Sequence, residues 1–169
     1  MLKIEPWAKR PIEESNLFNP AFVGSLIYEF SKAYSKRQVN GTPVTFVPLA
    51  LSVVLHKPTR DRLPGSTVTS LYDWLLKNED ILIGLSDRAR NITPISKEAL
   101  RFLMVHNCID FAEGHNVTPG MKKAHFSVTF LADTTAETKT IVDKTKFLAR
   151  WFAKSGSENS ILASWRLAP

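Results

Sequence analysis

Phe22, Val23, Leu26, Ile27, Phe30 and Tyr34 recur at three- and four-residue intervals and fall on one stripe, which predicts an amphipathic helix. Asn19-Pro20 starts it: Asn caps orphan amides, and Pro is tolerated at the first helical position. Lys32, Lys36 and Arg37 crowd its last turn, where cations suit the helix dipole, and Asn40-Gly41 breaks it. Residues 44–56 are nearly all apolar, so periodicity alone does not separate a buried strand from a buried helix. Pro48 fits the first turn of a helix better than a central strand, which favours helix. Lys57-Pro58 ends this run, and residues 59–63 form one short turn.

Ser70 with Asp73 reads as a capping box for a short helix whose Leu71, Trp74 and Leu75 face inward. Glu79–Asn91 reads as a further helix, Thr93-Pro94 as punctuation, and Ser96–Asn107 as the next helix. Cys108–Ala112 turns extended, Glu113-Gly114-His115-Asn116 forms a turn, and a second extended piece follows. Ala124–Phe130 alternates, with Phe126, Val128 and Phe130 on one side, which predicts a half-buried strand. Thr134 or Thr135 starts a long helix to Lys154, with Ile141, the Lys144 stem, Phe147, Leu148, Trp151 and Phe152 near one face. Ser155-Gly156-Ser157 breaks it, and a last helix spans Glu158–Trp165.

These elements predict a mainly α protein with a small β-hairpin, in a single domain over residues 1–169. An irregular arm occupies 1–18. Residues 68–131 have the order of a winged helix-turn-helix, with Ser96–Asn107 as its third helix and the wing within 108–131. C-terminal helices fill 134–169.

Composition narrows the class. Hydrophobic residues at 44% and charged residues at 22% belong to a globular chain rather than a disordered one. The single cysteine, Cys108, permits no intrachain disulfide and fits a reducing cytosol. The start lacks a signal-peptide run, and the longest apolar stretch, Phe46–Leu55, is about half a bilayer span. The reading is a soluble, cytoplasmic protein. The net charge of +6 is spread along the chain and by itself specifies no partner.

No phosphate loop, dinucleotide loop or paired-cysteine zinc motif is present, and none of the four histidines lies i, i+4 from another. The chain is therefore read as having no catalytic residue, no metal site and no cofactor. Asp110 and Glu113 near Lys122 form the one cluster that a metal-dependent nuclease could use, and it matches no motif. His115, Lys122 and Lys123 lie on the expected wing and are candidate phosphate contacts. The expected third helix offers only Lys97 and Arg101, too little to read base edges. The arm is the most unusual segment. Trp7, Lys9, Arg10, Pro11, Leu17 and Phe18 are candidate partner-binding residues, because Trp and Arg anchor interfaces. The competing reading has the arm folded back on its own domain.

Three runs carry a resemblance. They are Pro6-Trp7, Arg10-Pro11, Glu13 and Asn16–Phe22; then Leu55-His56-Lys57, Arg60 and Leu63-Pro64; then Arg150–Gly156, Ile161-Leu162 and Trp165. Together they resemble the middle component of three-component ABC-ATPase systems, of which Lamassu-type anti-phage defence is one kind. Departures are Ala149-Arg150 where the family has Gly before Trp-Phe, and the Trp165-Arg166-Leu167 finish. Residues 112–131 do not align with the family pattern. The resemblance implies a non-catalytic adaptor that bridges an SMC- or Rad50-like ABC ATPase and an effector, a nuclease in many such systems. It also implies that the adaptor restrains the effector until foreign DNA is sensed, with DNA contact through the complex. The alternative is a stand-alone winged-helix DNA-binding protein.

Overall fold

The computed structural model describes residues 5–6 and 9–167. Its helices are α1 (Ile12–Leu17), α2 (Pro20–Ser35), α3 (Phe46–Val54), α4 (Lys57–Arg60), α5 (Leu71–Lys77), α6 (Leu85–Val105), α7 (Val128–Asp133), α8 (Ala136–Ser155) and α9 (Glu158–Ser164). Three short strands, β1 (Thr42–Pro43), β2 (Ile109–Ala112) and β3 (Asn116–Pro119), form one antiparallel sheet in the order β1-β3-β2. The architecture is mainly helical with a small sheet.

Helix α2 is the hub. It packs against α8 and α6 and also meets β3, while α3 lies against α6 and α8. Its start follows from Asn19, whose side chain accepts from the Ala21 amide, and from Pro20 at the first helical position. Gly24 lets α6 approach: a Cβ there would sit 3.2 Å from the Leu103 side chain. Ser70, Ser127, Thr135 and Ser157 cap α5, α7, α8 and α9 in the same way, each hydroxyl accepting an amide of the first turn. Phe30, Phe46, Phe152 and Trp165 lie in the core where α2, α3, α8 and α9 meet, with ring centroids 5.2–6.2 Å apart.

The sheet hangs on α2. The Ser31 hydroxyl donates to the Val117 carbonyl, and Thr42 reaches the Ser31 hydroxyl. Gly41 turns the chain into β1 at φ +89°, where a Cβ would collide with Thr118 at 2.7 Å. Pro43 sits in the outer strand β1, where a missing amide costs no central ladder bond.

Three expectations change. The arm is not wholly irregular, because Ile12–Leu17 forms α1. The expected strand Ala124–Phe130 is instead an irregular run entering α7. Phe126 and Phe130 are four apart, a spacing that suits a helical turn as well as a strand, and their rings stack at 5.4 Å. Val128, expected on the same inner side, is 86% exposed. Finally, the two expected helices at 79–91 and 96–107 are largely one. Glu79–Leu82 is a 3₁₀ turn, and α6 runs unbroken through Pro94. Pro94 deprives only the carbonyl of exposed Arg90, while the Thr93 and Ser96 hydroxyls bond carbonyls one turn back. Over residues 20–119 the elements run helix, strand, helix, a short-helix insertion, long helix and hairpin, with the first strand joined to the hairpin's second.

Among the described residues no helix is long and apolar enough to cross a membrane.

Candidate functional site

The arm is anchored by charge. Arg10 is buried and donates two parallel hydrogen bonds to Glu98 of α6, at 2.9 and 3.0 Å, and a third from Nε to the Glu5 carbonyl. Its guanidinium is therefore engaged within the protein. Lys9 and Pro11 beside it are exposed, and so is Ile12, the first residue of α1. Trp7 lies outside the described residues. Leu17 ends α1, and Phe18 is half-buried at the rim of an apolar groove.

That groove is an apolar depression of about 400 Å³. Phe18, Leu51, Leu55, Ile92 and Ile95 line it, and Ser52, His56, Arg88 and Asn91 supply polar atoms. Arg88, Ile92 and Ile95 recur at helical spacing on α6, and Glu98, which holds Arg10, is the next member of that row. The pinned arm and the groove thus share one face of α6. Arg88 donates to the Ile81 and Ile83 carbonyls, and its buried Nε has no partner among the described residues. Apart from Phe18, the sequence reading did not find this groove, because its walls come from α3 and α6, far apart in the chain.

His56 stands at the groove with Nδ1 2.8 Å from the Thr59 hydroxyl. Burial, then the Arg88 and Arg60 cations, push its pKa below the ordinary 6.5. The unfolded chain then binds a proton near pH 6.5 that the folded chain refuses until lower pH. This contribution to stability is complete above 6.5 and is lost as pH falls below it through the folded value. His56→Gln is expected to flatten the urea-midpoint profile between about pH 5 and 7; a profile as steep as wild type would place the dependence elsewhere.

The second resembling run has a structural explanation. Arg60 is 1% exposed, donating to the Val54 carbonyl at the end of α3 and to Glu137 on α8. Lys144 donates to the carbonyls of Leu63 and Pro64, and Trp151 to that of Thr69. Residues 60–69 are thereby fastened to α8.

The candidate phosphate contacts are not brought together. His115 is exposed in the hairpin turn at φ +72°, whereas Lys122 and Lys123 follow β3 at the hairpin's other end. There the Lys122 amide donates to the Asn107 carbonyl. Asp110 lies in β2 and Glu113 in the turn, both exposed, and among the described residues no three His, Cys, Asp or Glu side chains gather as a metal site. Cys108 is buried.

A family model described as ABC-three component (ABC-3C) system Middle Component 3 matches residues 7–169. No curated protein and no solved structure matches the chain.

Proposed function

The chain belongs to the Middle Component 3 family of ABC-three component systems, and from that premise we propose that it is a non-catalytic adaptor subunit. It bridges an SMC- or Rad50-like ABC ATPase and an effector nuclease in a cytoplasmic, Lamassu-type defence complex, and it restrains the effector until foreign DNA is sensed. Membership of a family named for its place in a multi-subunit system is the observation that carries this reading. The partner-binding face is the arm with the groove behind it: Trp7, Lys9, Pro11 and Phe18, joined by exposed Ile12, with Arg10 holding the arm in place through Glu98.

The test is co-purification of the chain with the ATPase and effector encoded beside it. Trp7→Ala and Lys9→Glu with Ile12→Asp are expected to lose the partners while the thermal midpoint stays at the wild-type value. Arg10→Ala is expected to lower both, because it also frees the arm from Glu98. Retention of both partners by the Trp7 and Lys9/Ile12 variants would remove the arm from the interface. Isolation of the chain without partners from its native operon would sink the adaptor reading itself.

A second reading, a winged-helix DNA-binding protein, draws support from the element order. Helix α2, β1, α3, α6 and the β2–β3 hairpin follow the winged-helix sequence, and β1 extends the hairpin through β3. Its boundaries would then be 20–119 rather than 68–131. This reading requires DNA binding that falls when Lys122 and Lys123 are neutralised.

A further inference from the structure

Helices α2 and α8 lie side by side, and the surface groove between them is basic. Lys32 on α2 and Lys36 at its C-cap stand one turn apart, as do Lys146 and Arg150 on α8. With Glu29 and Ala33 they line a depression of about 160 Å³. Lys154 continues the α8 row by another turn and is exposed. The two helices point the same way, since Glu29 meets Lys146 while Gln38 donates to the Ala153 carbonyl further along both. The cations therefore form two parallel rows, with successive charges about 6 Å apart along each helix.

Among the described residues Glu29 is the one acid lining the groove, and it is satisfied: its side chain is 7% exposed, 3.7 Å from Lys146, and accepts the Phe126 amide. Lys32, Lys36, Arg150 and Lys154 make no ion pair with any described residue. Four lining cations against one buried acid leave charge open to solvent.

We propose that this groove binds the sugar–phosphate backbone of duplex DNA without reading its sequence. Two rows of cations repeating at about 6 Å suit a periodic polyanion. Among the described residues the lining holds no aromatic ring on which an unpaired base could stack, which argues against single strands. It also offers no Asn or Gln to reach a base edge. The proposal stands on the groove alone and does not require the bridging role.

The test is fluorescence anisotropy of the full chain with a 20-base-pair duplex of arbitrary sequence, between 50 and 200 mM NaCl. Lys32→Gln, Lys36→Gln and Arg150→Gln are combined, leaving Lys146 to serve Glu29. Wild type is expected to bind with a log–log salt slope of about −3 to −4, and the triple variant to lose at least tenfold affinity at low salt with the slope shallower by about 2 to 3. A Lys122→Gln, Lys123→Gln variant is expected to bind within threefold of wild type, and thermal melting to show all three proteins equally folded. No duplex binding at 50 mM NaCl, or a triple variant that binds like wild type, would overturn the proposal. So would tighter binding of poly-glutamate than of the duplex, which would assign the groove to an acidic protein.

Discussion

Arg60→Ala is expected to cost the fold about 2–4 kcal/mol, read as a fall in urea midpoint at unchanged slope. The side chain is 1% exposed and spans two helices: Nη1 donates to the Val54 carbonyl at 2.8 Å, and Nη2 to Glu137 at 2.7 Å. Truncation leaves a void and strips a partner from a carbonyl in the last turn of α3, where no helical amide replaces it. Glu137 is 58% exposed and rehydrates, so most of the loss comes from the void and the carbonyl rather than the ion pair. Glu137→Gln, which keeps an acceptor, is expected to cost less than half as much. Lysine cannot reach both partners at once, so Arg60→Lys falls between. An Arg60→Ala protein within about 1 kcal/mol of wild type would mean the loop is held elsewhere.

Arg60 also marks where reading the sequence ended. Residues 59–63 read as one short turn, and nothing near them in sequence names a partner 77 positions away. Local signals fared well wherever local physics decides. Asn19-Pro20 and Ser70 start helices as their cap chemistry requires, and Leu71, Trp74 and Leu75 are buried as their spacing predicts. They failed where one pattern admits two structures: Phe126 and Phe130 suit both a strand and a helical turn, and Pro94 sits within a continuous helix. The site split the same way. Arg10 reads as a partner-binding candidate, whereas its guanidinium bonds Glu98, 88 residues off in its own chain. Lys32 and Lys36 read as dipole partners, because only tertiary packing sets them across from Lys146 and Arg150.

The second and third runs that carry the family resemblance bury Arg60, Leu63, Trp151, Phe152, Ile161 and Trp165, whereas the first run buries only Arg10 among its described residues. Those buried residues hold the scaffold together.

The two tryptophans of the C-terminal run separate packing from hydrogen bonding. Both are fully buried, and both lie against Trp74, at 5.4 Å for Trp151 and 6.3 Å for Trp165. Trp151→Ala is expected to cost about 3–5 kcal/mol, the largest effect of any substitution proposed for this chain. Trp151→Phe keeps most of the ring but strands the Thr69 carbonyl that Nε1 serves at 2.7 Å, so it still costs about 1–3 kcal/mol. Trp165 differs because its buried Nε1 has no partner among the described residues. Trp165→Phe removes that unsatisfied donor along with some apolar surface, and the two effects oppose each other, leaving a change of about 1 kcal/mol or less. Paired urea melts of the two Phe variants decide it. If Trp165→Phe proves the costlier, its Nε1 finds a partner in solution, and the end of α9 is held by a polar contact rather than by packing alone.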